Sequence, residues 1–211
     1  KYRIFYGLTE AVLSDPRIQA WLNSKEFISE AVKDSPIVMK YAPSEFKTDR
    51  DFAFSAINIH PHVYEFLSDD LRADGDVFYS VLDSIEKSRS DPTQKSAIFL
   101  IHPVVPASNN WWFPLQYASQ ELQSDREVVQ KAYDSLSDNL KYASEDLLND
   151  RSFIYPKMKE DPDIFEYIGK SLLDDKELVL LGIRSGPEMY EHIAESLKHD
   201  KEVALEAAKS S

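Results

Sequence analysis

A short phrase repeats itself along this chain, and its interval constrains the fold more than any other feature of the sequence. Tyr117-Ala118-Ser119-Gln120-Glu121-Leu122 is echoed 25 residues later as Tyr142-Ala143-Ser144-Glu145-Asp146-Leu147. The same step reaches Tyr167-Ile168 with Leu172, and then His192-Ile193 with Leu197. Upstream, Tyr41-Ala42 with Phe46 lies 25 residues before Phe66-Leu67 with Leu71, and Phe66 precedes Tyr117 by 51. A fixed period of this length marks units that cannot bury their apolar faces alone and do so by stacking on copies of themselves.

A second marker runs eight residues behind the first: Asp49, Asp74, Asp125, Asp150, Asp175 and Asp200, with Ser24 in the same slot one period earlier. Asp and Ser side chains accept hydrogen bonds from the unpaired amides of a first helical turn. Glu26, Asp51, Asp76, Glu127, Glu177 and Glu202 stand two residues further on, where an acid complements the helix dipole. Each marker therefore opens a helix. Apolar residues follow three or four and eight positions after the cap, as in Phe52 with Ile57, Val128 with Tyr133, and Leu178 with Ile183. The seventh position is small in most units (Ala31, Ala56, Ala132, Gly182, Ala207), as a close helix crossing requires.

Prolines at 36, 61, 162 and 187 suit the first turn of another helix, with Ser35 or Asp161 placed to cap it. The stripe of this helix falls at i, i+3 and i+7, for example Leu140, Ala143, Leu147 and Phe165, Ile168, Leu172. The expected fold is all-α: an α-solenoid of short two-helix repeats, period 25 residues, each helix of roughly ten residues and marginal by itself. One domain is expected over 1–211, as two sub-arrays, 1–86 and 114–211, joined by a degenerate unit and insertion at 87–113. The run Ala97-Ile98-Phe99-Leu100-Ile101 is read as helix within it. Pro43 and Pro156 fall inside predicted helices and should kink or split them. The sequence has no initiator Met and ends in a capped helix with no second helix after it, and so reads as a fragment of a longer chain.

The insertion ends in Asn109-Asn110-Trp111-Trp112-Phe113, which holds two of the three tryptophans. These rings either plug a gap between the sub-arrays or grip a protein partner, since Trp dominates interaction hot spots and repeat insertions often lie on the binding face. They are the candidate partner-binding residues.

Composition removes several classes. Lys plus Arg is 24 against 37 Asp plus Glu, a formal charge of −13 that repels a phosphate backbone, so no nucleic-acid partner is expected. With no cysteine, a disulfide framework, a thiolate metal site and a cysteine nucleophile are all excluded. No apolar run suffices to span a bilayer, and Lys1 to Leu13 does not read as a signal peptide, so membrane insertion is not expected. His60-Pro61-His62 lacks a third ligand nearby and reads as a solvated turn rather than a metal site. Asp70 to Asp76 fails the calcium-loop template, because Arg72 stands at its third position and Val81 at its twelfth. No phosphate-binding loop, nucleophile elbow or catalytic constellation is present, so no cofactor, metal or catalytic residue is assigned.

The unit Tyr-Ala-Ser-Glu-x-Leu followed by Asp-Lys/Arg-Glu-Val-Val is best developed from Tyr117 to Asp150, including Asp125-Arg126-Glu127-Val128-Val129. It resembles a helical-repeat family of unknown function, found in secreted effectors of intracellular bacteria and in large proteins of eukaryotic microbes. The resemblance spans most of the chain apart from 86–112 and the first dozen residues. It implies a helical array, brings no catalytic residues, and points to an effector delivered into the host cell cytosol. The expectation is a non-enzymatic protein-interaction scaffold. The alternative is a structural or regulatory repeat domain attached to an enzyme elsewhere in the full-length protein.

Overall fold

The computed structural model describes residues 14–90 and 112–210. Among them every regular element is helical and no strand occurs. The longer helices are α1 (Lys25–Asp34), α2 (Arg50–Ile59), α3 (Gly75–Ser90), α4 (Arg126–Ser135), α5 (Arg151–Glu160), α6 (Lys176–Ser185) and α7 (Lys201–Ser210). Each begins one residue after a marker of the Ser/Asp ladder, and each marker caps it. Ser24 accepts the amide of Phe27, Asp49 that of Phe52 and Asp150 that of Ser152. Asp74, Asp125, Asp175 and Asp200 each accept two amides of the turn they open. The apolar positions of these helices point inward: Phe52, Ile57, Val128, Tyr133, Leu178 and Ile183 are all buried. The small seventh position is a contact point. Ala31, Ala56 and Ala132 are fully buried, and a Cβ at Gly182 would stand 2.5 Å from Cγ of Phe165.

The second helix of each unit differs from the sequence expectation in one respect: it is two pieces rather than one. A six-residue 3₁₀ segment comes first, at Pro61–Phe66, Ser137–Tyr142 and Pro162–Tyr167. Two residues of extended backbone follow, such as Ala143 and Ser144, and then a short turn of helix, Glu145–Leu148 in that unit. The recurring Tyr-Ala-Ser-Glu phrase is this break. Ser144 leaves the helical path and caps the next turn through Leu147, and Ser119 does the same for Leu122. The amide of the break residue is thereby released to reach the preceding unit. Ser68 donates to the carbonyl of Lys47 at 3.0 Å, Ser144 to Gln123 at 2.8 Å, Gly169 to Leu148 at 2.7 Å and Ala194 to Leu173 at 3.0 Å. Pro43 occupies the same slot without an N–H to give, and the break it was expected to make is the one every unit has.

The chain divides into two compact units, Lys1–Leu122 and Gln123–Ser211. In the first, α1, α2 and α3 pack in sequence around Ile28, Val32, Ala53, Ile57, Phe78 and Val81. The Pro114–Tyr117 segment then lies against Pro61–Phe66, and Ser119 donates to the carbonyl of Arg72 at 3.3 Å. That is the same main-chain rung as elsewhere, but its partners are 119 − 72 = 47 residues apart rather than 144 − 123 = 21, so the extra chain lies after α3 and before Pro114. Ala97 to Ile101, read as helix from the sequence, lies outside the described residues. In the second unit α5, α6 and α7 pack in sequence, with Leu140, Ile154, Met158, Ile164, Val179 and Ile183 buried.

Of the two outcomes expected of Pro156, a kink or a split, the split does not occur: the helix runs through it from Arg151 to Glu160. Pro156 and Ser152 are both exposed, so the carbonyl that loses its partner is free to be hydrated. Proline in a helix interior still costs about 3 kcal/mol relative to alanine, less a fraction recovered through the stiffer unfolded chain. Pro156→Ala should therefore stabilise the protein by about 2 kcal/mol, read as a higher urea midpoint by circular dichroism. An unchanged midpoint would mean that α5 is already kinked to suit the ring.

Candidate functional site

The residue after each cap is basic in most units, a pattern that lies in plain view in the sequence. Its partner is the cap of the next unit, 24 residues on. Lys25 pairs with Asp49, Arg50 with Asp74 at 2.7 Å, Arg126 with Asp150 at 2.5 Å, Arg151 with Asp175 at 2.6 Å and Lys176 with Asp200 at 2.9 Å. The same cation often also reaches the acid two residues past that cap: Arg50 to Asp76 and Arg151 to Glu177, at 2.7 and 2.6 Å. The cap carboxylates of Asp49, Asp74, Asp150, Asp175 and Asp200 therefore each do two jobs, accepting amides of their own helix and a cation of the preceding one. The consequence is electrostatic. The bond from Lys25 holds the Asp49 carboxyl below the usual range, that from Arg50 does so for Asp74, and that from Lys176 does so for Asp200. A general acid requires the opposite shift.

The candidate partner residues divide. Asn109, Asn110 and Trp111 lie outside the described residues. Trp112 is half-buried, its ring 4.3 Å from that of His62 and stacked at 6.0 Å on Tyr117. Phe113 is buried and precedes the Pro114–Tyr117 turn. His60 extends the column, 4.9 Å from His62. The histidine pair is therefore not the solvated turn read from the sequence. Both rings are buried, because the segment delivered by the insertion covers the turn that Pro61 begins. Nδ1 of His60 accepts the His62 amide, as Asp161 accepts that of Asp163 one turn type later in the array. Nε2 of His60 and the indole N–H of Trp112 are buried with no hydrogen-bond partner. Burial holds the His60 imidazole down to about 4. Among the described residues no group of three or more His, Cys, Asp or Glu is placed to hold a metal ion.

The repeated tyrosines serve packing and registration. Tyr167 donates to Asp138 of the preceding unit at 3.1 Å, while Tyr64 and Tyr190, two residues before the repeated slot, each donate to a carbonyl eight residues on, at 2.7 Å. Sequence reasoning passed over Lys157, which stands in the small seventh slot. It is buried, with its ammonium 3.6 Å from the Phe153 ring centre and donating to Gln130 Oε1, and burial pushes its pKa down. The signal was the break in the register of small residues.

Two measurements test this picture. Asp175 joins a cap (amides of Glu177 and Leu178 at 3.0 and 3.2 Å) to an exposed ion pair. Cap loss costs about 1 kcal/mol, whereas exposed pairs contribute little. Asp175→Ala should lower stability by about 1 kcal/mol and Asp175→Asn by much less; equal losses would shift the weight to the ion pair. His60 governs the response to acid. Its folded-state pKa is depressed, so the unfolded chain binds the proton first, and stability falls as pH drops from about 6.5 to about 4. The loss should reach about 3 kcal/mol at the acid end of that window, above the range where the cap carboxylates titrate. Urea unfolding at pH 7, 5.5 and 4 should show it, and His60→Gln should flatten that slope; a slope that persists in the variant assigns it to other groups.

Among the described residues no helix is long and apolar enough to cross a membrane. No curated protein and no solved structure matches the chain. One family model matches three times, over residues 24–72, 108–148 and 175–211, together well over half of the sequence. The first and third matches begin on the helix caps Ser24 and Asp175, so the family's unit is cut from the same repeat that the ladder defines. The chain belongs to the family described as Domain of unknown function (DUF4116).

Proposed function

We propose that this protein is a non-enzymatic repeat scaffold that binds a protein partner. The observation that carries the reading is the use made of its chemistry-bearing groups. The repeated carboxylates and cations are tied to one another between units, and the cap carboxylates of Asp49, Asp74, Asp150 and Asp200 are held ionised rather than raised toward an acid–base role. Repeat arrays of this kind present a long surface built from successive units, and an insertion is where such a surface gains a distinctive feature. Here that place is the segment ending in Asn109, Asn110, Trp111, Trp112 and Phe113. Phe113 and Trp112 anchor the end of this segment on the first unit. The resemblance of the unit to repeats of secreted bacterial effectors makes an effector module acting in a host cell the setting we favour.

The test is affinity capture from a host-cell lysate with the intact chain and with Trp111→Ala, followed by quantitative mass spectrometry. The intact chain should retain a defined protein, and Trp111→Ala should lose at least about tenfold of it with an unchanged melting temperature, as truncating a hot spot does. Retention of nothing beyond a control helical protein, or full retention by the variant, would remove the reading.

A further inference from the structure

The position two residues past the helix cap carries an acid in unit after unit: Glu26, Asp51, Asp76, Glu127, Glu177 and Glu202. The unit opened by Asp150 departs from this and carries Ser152 there. The acids at 76, 177 and 202 are held by the cation of the preceding helix, Arg50, Arg151 and Lys176, at 2.7, 2.6 and 2.9 Å. Ser152 is held by the preceding helix in the same way. Arg126 gives Nη1 to Asp150 at 2.5 Å and Nη2 to the Ser152 hydroxyl at 3.1 Å, across the same 26 residues that separate Arg50 from Asp76 and Arg151 from Glu177. A guanidinium that meets a second carboxylate in other units thus meets a neutral oxygen here.

The joint that Ser152 belongs to is polar in a second respect. The seventh slot of α5 holds Lys157, which donates to Gln130 of α4 and lies 5.1 Å from the Tyr133 ring centre. Other units place Ala31, Ala56 or Gly182 in that slot. Charged and polar side chains therefore join α4 to α5 where small residues serve elsewhere, and such a joint responds to added charge. Ser152 is exposed, and as the second residue of a ten-residue helix it opens with the fraying of that end, so an enzyme reaches it without unfolding the array.

We propose that Ser152 is a phosphorylation site, and that Arg126 takes its phosphate and locks α4 to α5. The Ser152 oxygen attacks the γ-phosphorus of a nucleoside triphosphate bound to a serine kinase. The new O–P bond forms as the bond to the bridging oxygen breaks, the nucleoside diphosphate leaves, and the hydroxyl proton passes to the base of the kinase. The product carries a charge of about −1.5 to −2 and three acceptor oxygens in the first turn of a helix, opposite an arginine. Two acids sharing one cation is an arrangement the array already uses at Asp74 with Asp76 and at Asp175 with Glu177. The bond from the Ser152 hydroxyl to Asp150 goes with its proton, while Asp150 keeps Arg126 and the Ser152 amide, the latter at 2.8 Å.

Two measurements on the full chain test it. In the first, the folded chain is incubated with magnesium ATP labelled in its γ-phosphate and a eukaryotic cell extract as the source of serine kinases, and the label is located by peptide mass spectrometry. The label should lie on Ser152 and disappear from that peptide in Ser152→Ala; label confined to other residues, or no label, overturns the assignment. In the second, phosphoserine is installed at position 152 during translation and urea unfolding is followed by circular dichroism. The phosphate should raise the midpoint by about 0.5 M, and Arg126→Gln should remove at least half of that gain. A midpoint that stays level or falls, or a gain that survives without Arg126, overturns the lock.

Discussion

A helix of ten residues in water sits near the edge of stability, and this protein is made of little else. What sets the register of its units is the shared helix cap. Five Asp residues of the ladder, Asp125 apart, satisfy the open amides of one helix and the cation of the helix before it, so the device that starts a helix also joins it to its neighbour. The buried stripes supply the larger free energy, through area removed from water. They do not by themselves choose a register. The cap does, because moving one unit by a single residue against the next would separate the cation from both acids and turn the stripe away from its partner.

The chain was legible where the sequence repeats a local chemical rule. Asp and Ser at the 25-residue interval, followed two residues on by an acid in every unit but that of Asp150, located the start of each longer helix among the described residues, because capping is decided within one turn. The buried positions at three, four and eight past the cap were equally readable from periodicity. The break in the second helix was not. Leu140, Ala143 and Leu147 have helical spacing and are all buried, yet extended backbone intervenes at Ala143 and Ser144. What decides it is a bond from the Ser144 amide to the carbonyl of Gln123, a partner 21 residues away that no local rule consults. His60 and His62 were misjudged for a related reason. Beside a proline they look like a surface turn, and only the return of the chain at Trp112 buries them. Pro156 leaves α5 unbroken, since a proline's effect depends on whether the carbonyl it orphans can reach water.

Trp112 and Phe113 show how a candidate site and a piece of core can share residues. Phe113 is buried and Trp112 is stacked between His62 and Tyr117, so their energy is already committed to holding the inserted segment on the first unit. A binding surface anchored this way is rigid at its base, which lowers the ordering cost of contact. The ionic ladder is a poor candidate for such a surface, because its charges already have partners.

The main-chain rung between units has a consequence for how such proteins change over time. Its donor is a backbone amide and its acceptor a backbone carbonyl, and the donor position is Ser68, Ser119, Ser144, Gly169 or Ala194 without loss of the bond. A seam written in the peptide backbone tolerates drift in nearly every side chain, proline excepted, as Pro43 illustrates. Gene segments encoding whole units can then be duplicated or removed, and the new junction closes with no compensating substitution at that point.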